Sequence, residues 1–168
     1  MNSLELLPVP GIPEVRPGDD LGALVADAAL ASIGFEDGDV VVVTQKVVSK
    51  AENALVAIDA NDPNAHRALV AGQSRRILRR RGDLVISETH HGFVCANAGI
   101  DLSNVEAGTA ALLPEDPDRS ARRLRDVFVH RYGVTCGVII SDTFGRTWRR
   151  GVTDIALGSA GIRPILDL

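Results

Sequence analysis

Apolar residues fall in short runs separated by polar segments rich in glycine, proline and aspartate. Residues 4–9 read as a first strand. It is stopped by Pro10-Gly11-Ile12-Pro13, where two prolines around a glycine cannot continue a ladder. Asp19 and Asp20 then precede Leu21, Leu24, Val25 and Ala28, an acidic start and helical spacing that predict a helix closing at Gly34. After an Asp37-Gly38-Asp39 turn, Val40, Val41, Val42 and Val43 form a continuous β-branched run, the pattern of a strand covered on both faces. Asp62-Pro63 is expected to open a helix reaching about Arg81, with Ala65, Leu69, Ile77 and Leu78 inward and Arg75, Arg76, Arg79, Arg80 and Arg81 as a solvated end complementing the helix dipole. Residues 84–87 and 93–96 read as a hairpin around His90-His91-Gly92. Residues 113–117 form a connector, 118–132 a second Arg-rich helix, and 134–140 a buried strand ending at Ser141-Asp142-Thr143.

Composition narrows the class. The 168 residues are 45% hydrophobic and 24% charged, with a net charge of −4, which suits one soluble domain or two small subdomains sharing a core. The mild acidity argues against general nucleic-acid binding, and 4% aromatic residues are too few for base-stacking platforms. No apolar run approaches the roughly 20 residues that cross a bilayer, and the N-terminus lacks a basic segment followed by an apolar core. A non-membrane, cytoplasmic protein is expected. Cys95 and Cys136 sit in apolar stretches and read as buried reduced thiols; no CxxC or HExxH spacing supports a zinc site. The chain ends in an apolar stretch, residues 162–168, which is expected to be the point where a longer domain has been cut.

Three segments carry candidate chemistry at the ends of apolar strands, where α/β proteins place ligands. The first, residues 44–52, holds both lysines of the chain, Lys46 and Lys50, against 16 arginines. Four residues apart on a helical turn, two like charges are unfavourable unless an anion lies between them. The second, residues 95–105, groups small residues around Gly99, which let backbone approach a ligand closely. It also offers Asp101 as a hard oxygen for Mg²⁺ or Mn²⁺ and Asn104 as donor and acceptor. The third, residues 141–151, joins Asp142 and Thr143 to Arg146, Arg149 and Arg150, suiting a cation together with phosphate or carboxylate oxygens. No GxxxxGK[ST] and no GxGxxG after a strand occur, so any nucleotide is bound differently.

Taken in order, these segments resemble the coenzyme F420-0:γ-glutamyl ligase family. The likeness runs through residues 7–13, 17–21, 37–46 and 48–52. It continues through the asparagine-bearing segment 92–105 and Ser141-Asp142-Thr143-Phe144-Gly145-Arg146. After Ala51-Glu52 the family has Gly-Arg; here Asn53-Ala54 follows, and Asn tolerates left-handed turn geometry. The implied fold is α/β (mixed α+β), two intertwined subdomains with parallel and mixed sheets, in one domain over residues 1–168 that stops short of the family's C-terminal part. The implied activity is GTP-dependent addition of L-glutamate to F420-0 or F420-1 through an acyl phosphate, releasing GDP and phosphate. Homodimerisation, Mg²⁺ or Mn²⁺, and K⁺ as a further cation are implied with it. Position by position, Asp101, Asp142 and Thr143 match divalent-metal ligands, and Ile12, Pro13, Glu14, Val15, Gln45, Lys50 and Asn104 match nucleotide contacts. Two other readings stand beside it: a relative that binds nucleotide or anion without turnover, and a metal-dependent phosphohydrolase built on Asp142 and Thr143.

Overall fold

The computed structural model describes residues 3–59, 61–145 and 150–165. Among the described residues, four α-helices and three small sheets make a mixed α/β fold. The central sheet has the order β1-β7-β8 and pairs β1 (Val40–Thr44) parallel with β7 (Gly137–Gly145), which pairs antiparallel with β8 (Val152–Ala160). A second sheet joins β2 (Leu55–Ala57) to β6 (Thr109–Ala111). A third has the order β3-β4-β5, from β3 (Ser74–Arg81), β4 (Leu84–Thr89) and β5 (Val94–Ala96).

Two helices pack on each other, and the second of them lies on the central sheet. α1 (Leu21–Ser32) begins where the Asp20 carboxylate accepts the Ala23 N–H at 3.0 Å. α4 (Pro117–Tyr132) begins the same way, the Asp116 carboxylate accepting from Arg119 N at 2.8 Å with proline in the first turn, and ends at Gly133 with φ +71°. They meet closely: a Cβ on Gly22 would stand 2.9 Å from Val127. Phe128 on α4 is fully buried and meets Phe35 edge to face at 5.1 Å. A smaller cluster of Val70, Val85 and Ala98, with Ile77 and Ile100 against it, is built from the segment around the third sheet. α2 (Gln45–Ala51) leaves β1 directly, and α3 (Ala65–Gly72) precedes β3.

Four sequence expectations need correction. Residues 4–9 form no strand: Leu4 and Leu6 are 88% and 85% exposed, so the apolar spacing has no sheet to pair with. The predicted helix from Asp62 to Arg81 is a short helix followed by a strand. α3 stops at Gly72, and residues 74–81 pair antiparallel with β4 around a Gly82 turn (φ +59°). The pairing edge of β4 overrides the helix propensity of the arginines, and two ladder irregularities in β3 spread its five arginines over exposed positions. β1 is not covered on both faces. It is an edge strand with Val40 and Val42 half exposed. Finally, β7 does not end at Ser141. It continues through Gly145, paired with β8 across an irregularity at Ile140/Ser141 that leaves Leu157 as an extra residue on β8.

Candidate functional site

The parallel pairing of β1 with β7 builds the site. Thr44, the last residue of β1, lies level with Ser141, so Gln45 and Lys46 in the first turn of α2 emerge beside Asp142. A third segment arrives from β5 through a 3₁₀ turn, Asn97–Gly99, and Asp101 is then held against Ala111 by two backbone hydrogen bonds of 2.9 and 2.8 Å. Asn97 has φ +49° and Ala98 φ +54°, and the Asn97 amide oxygen accepts the Val85 N–H at 2.9 Å, which pins the turn to β4. Gly99 packs closely against a neighbouring segment. At φ +71°, a Cβ there would lie 2.8 Å from the Leu113 side chain, so the small residue serves packing.

The three segments converge on charge. Lys46 Nζ makes an ion pair of 2.7 Å with Asp101 Oδ2 and donates to Ser103 Oγ at 2.9 Å. Asp101 Oδ1 accepts from both the backbone N–H and the hydroxyl of Ser103, each at 2.7 Å. Burial alone would push the Asp101 carboxyl up; the hydrogen bonds from Lys46 and Ser103 outweigh it and hold the group below the usual carboxylate range. Asp142 shifts the other way. Burial raises it, the Thr143 backbone N–H works against that, and the neighbouring charges of Asp101 and Asp154 raise it further. Thr143 donates its hydroxyl to Asp154 Oδ1 at 2.7 Å. Cys95 lies buried near Asp142, its thiol pushed up to about 11 by burial and that carboxylate, so it stays protonated at neutral pH.

The expected nucleotide contacts fall into separate groups. Glu14 and Lys50 meet in an ion pair that holds the exposed Glu14 carboxyl low, joining the early turn to α2. Val15 is buried in the main core and Ile12 packs against it, while Pro13 is exposed. Gln45 is 2% exposed, and its amide nitrogen donates to Ser49 Oγ at 2.6 Å and to Leu112 O at 2.9 Å. Asn104 is exposed with φ +54°. The two lysines do not flank one common anion. Each has its own carboxylate, Asp101 for Lys46 and Glu14 for Lys50. Arg146, Thr147, Trp148 and Arg149, singled out as anion ligands or their neighbours, lie outside the described residues.

The donor set fits a hard divalent cation. Asp101 and Asp142 offer two carboxylates, with the Ser103 hydroxyl on Asp101 and the Thr143 hydroxyl on Asp154, and Asp142 already feels the charge of Asp101 and Asp154. Among the described residues no group of three acidic, histidine or cysteine side chains is gathered. Mg²⁺ in general needs one or two carboxylates together with substrate phosphates and water. Sequence reasoning missed Lys46 and Asp154 as members of this cluster. The four-residue spacing of the lysines was the available signal for the first. For the second, only the strand register reveals the approach.

The sequence profile of the F420-0:Gamma-glutamyl ligase family matches residues 11–168. The chain belongs to this family. It is 42% identical to the coenzyme F420:L-glutamate ligase of Methanopyrus kandleri, over 98% of this chain and 69% of that protein. It is 40% identical to the coenzyme F420:L-glutamate ligase of Methanothermobacter thermautotrophicus, over 98% of this chain and 71% of that one. The Archaeoglobus fulgidus protein of the same name is 37% identical over 98% of this chain and 70% of its own length. In this F420 ligase-family chain, the match spans the early turn, α2, the Asp101 segment and β7, the four parts of the site described above.

Proposed function

We propose that the protein is a GTP-dependent ligase that joins L-glutamate to F420-0 or F420-1 through an acyl phosphate, releasing GDP and phosphate, and that it works as a cytoplasmic homodimer. The observation that carries this reading is the meeting of Asp101, Asp142 and Lys46 at the β1/β7 strand end, in a chain of the F420 ligase family. A carboxylate is a poor electrophile, and phosphorylation gives it a leaving group that the glutamate amine can displace. Bound Mg²⁺ or Mn²⁺, with K⁺ as a further cation, would neutralise charge on the phosphates during transfer. Asp101, Asp142 and Thr143 are the residues that would hold the divalent ion.

The chain's own groups orient the substrates. Lys50, only 12% exposed in its side chain, presents a compact ammonium beside the 12–15 turn, where a phosphate oxygen could replace the Glu14 carboxylate. Asn104, in a left-handed exposed turn one residue beyond Ser103, has an amide free to read a base or ribose edge. Gln45 holds the Leu112 strand end against α2. The test is incubation of the protein with GTP, Mg²⁺ or Mn²⁺, L-glutamate and F420-0, followed by mass spectrometry. The glutamylated product should appear with equimolar GDP and phosphate. GDP and phosphate without glutamate addition would favour a phosphohydrolase, and GTP binding without any product a non-catalytic relative; either result defeats the ligase reading.

A further inference from the structure

We propose that Lys46 is a tethered counter-ion of the Asp101–Asp142 pair, which a divalent cation must displace before it binds, so that this one side chain sets the protein's intrinsic affinity for metal. The inference rests on the metal role given above to those two carboxylates.

Asp101, beyond the turn that follows β5, and Asp142, on β7, are both half-buried, so their like charges call for a cation between them. Among the described residues, Lys46 is the cation paired with Asp101, 22% exposed in its side chain and 2.7 Å from Oδ2. Asp101 Oδ1 is already taken by two Ser103 donors, so Oδ2 is the oxygen on which an incoming metal and the ammonium compete. A Mg²⁺-sized ion sits about 2.1 Å from a carboxylate oxygen. With Nζ 2.7 Å from the same atom, the two cations would be no more than about 5 Å apart, a distance at which they repel strongly. Both cannot be held by Oδ2 at full strength. Lysine is suited to yield, because its ammonium rides on a flexible four-carbon stem, whereas a guanidinium would clamp the carboxylate bidentately. In a chain with 16 arginines and one other lysine, Lys50, the exchangeable cation is found at this position.

Two measurements, both without GTP or F420-0, test the exchange. The first titrates Mn²⁺ into wild-type and Lys46→Gln protein by electron paramagnetic resonance, with circular dichroism as a check on folding. The variant should bind at least roughly threefold tighter, the scale on which a partly exposed ion pair competes. A smaller gain, no change, weaker binding, or no Mn²⁺ binding by either protein overturns the proposal. The second uses the wild type alone and so does not depend on the variant folding. Acetic anhydride labelling, read by peptide mass spectrometry, should modify Lys46 faster at saturating Mn²⁺ than without it, while Lys50 stays constant. Equal or slower labelling of Lys46 overturns the proposal. Neither measurement involves turnover, so an inactive chain can satisfy both and an active ligase can fail both.

Discussion

Gln45 matches a nucleotide contact by sequence, yet its side chain is buried and its amide nitrogen is bound inside the protein. Replacing it with leucine keeps a side chain of similar bulk, one bond shorter, and removes the polar end. Two donated hydrogen bonds are lost, to Ser49 Oγ and to Leu112 O. Leu112 O keeps a second donor, the Ser49 hydroxyl at 2.6 Å, so that acceptor is not orphaned. At about 0.5–1.5 kcal/mol net for each bond, the expected loss is about 2 kcal/mol. For a protein of this length that is a fall in Tm of roughly 4–8 °C. Leu112 follows Ala111, the bridge partner of Asp101, so the same change should also loosen the carboxylate segment and weaken the response to Mn²⁺. Urea and thermal unfolding measure the first effect, and a Mn²⁺ titration measures the second. Stability within about 0.5 kcal/mol of wild type, the range of an ordinary surface change, would refute the reasoning, and a sharp drop in GTP affinity beside it would return Gln45 to the nucleotide.

Asp142→Asn should reduce metal-dependent turnover by about a hundredfold or more, the scale of removing one charge-stabilising group from a reacting centre. Because the native fold raises the Asp142 carboxyl, its ionisation costs stability as pH rises through the carboxylate range. The asparagine variant should therefore unfold no more easily than wild type at neutral pH, and retained activity or a lower midpoint there would contradict its place. Asp101 has the opposite sign: its carboxyl is lowered, so its contribution is present above its unfolded pKa and is lost as acid titrates it, and Asp101→Asn should flatten that part of an acid-unfolding curve. Gly158→Ala should destabilise by at least about 1–3 kcal/mol in chemical denaturation, since the new Cβ would lie 2.3 Å from the Pro117 carbonyl carbon, and backbone cannot step aside as a side chain can. Lys50→Arg should weaken GTP binding in calorimetry although charge is kept, because a planar fork does not fill the space of a compact ammonium; unchanged affinity would remove Lys50 from the nucleotide site.

The parts of the fold legible in the sequence were those fixed by local chemistry. Asp20 before an apolar period, Pro117 after Asp116, and Gly34 and Gly133 at positive φ mark helix ends that short-range hydrogen bonds decide. Asn53 adopts the left-handed turn its side chain permits, at φ +56°. What failed depended on partners distant in the chain. Whether residues 74–81 coil or extend is decided by β4, and whether the valines of β1 are covered depends on sheet order. The site follows the same division. Asp101 and Asp142 stand out as acids in glycine- and strand-rich surroundings. Lys46 acquires its meaning from a carboxylate 55 positions away, a pairing that no local pattern encodes.

The irregularity between β7 and β8 gives Thr143 its neighbour. From Ile140 opposite Gly158, an uninterrupted ladder would set Ile155 against Thr143. The extra residue on β8 sets Asp154 there instead. The contact between hydroxyl and carboxylate is thus a matter of counting rather than of residue choice along β8. Exchanging Leu157 for another apolar side chain leaves the count intact, whereas a one-residue insertion between Ile155 and Leu157 would deliver an isoleucine to the edge of the acidic cluster. For this strand, a change in length is the more damaging mutation, and alignments of related chains that slip by one position here would assign Thr143 the wrong partner.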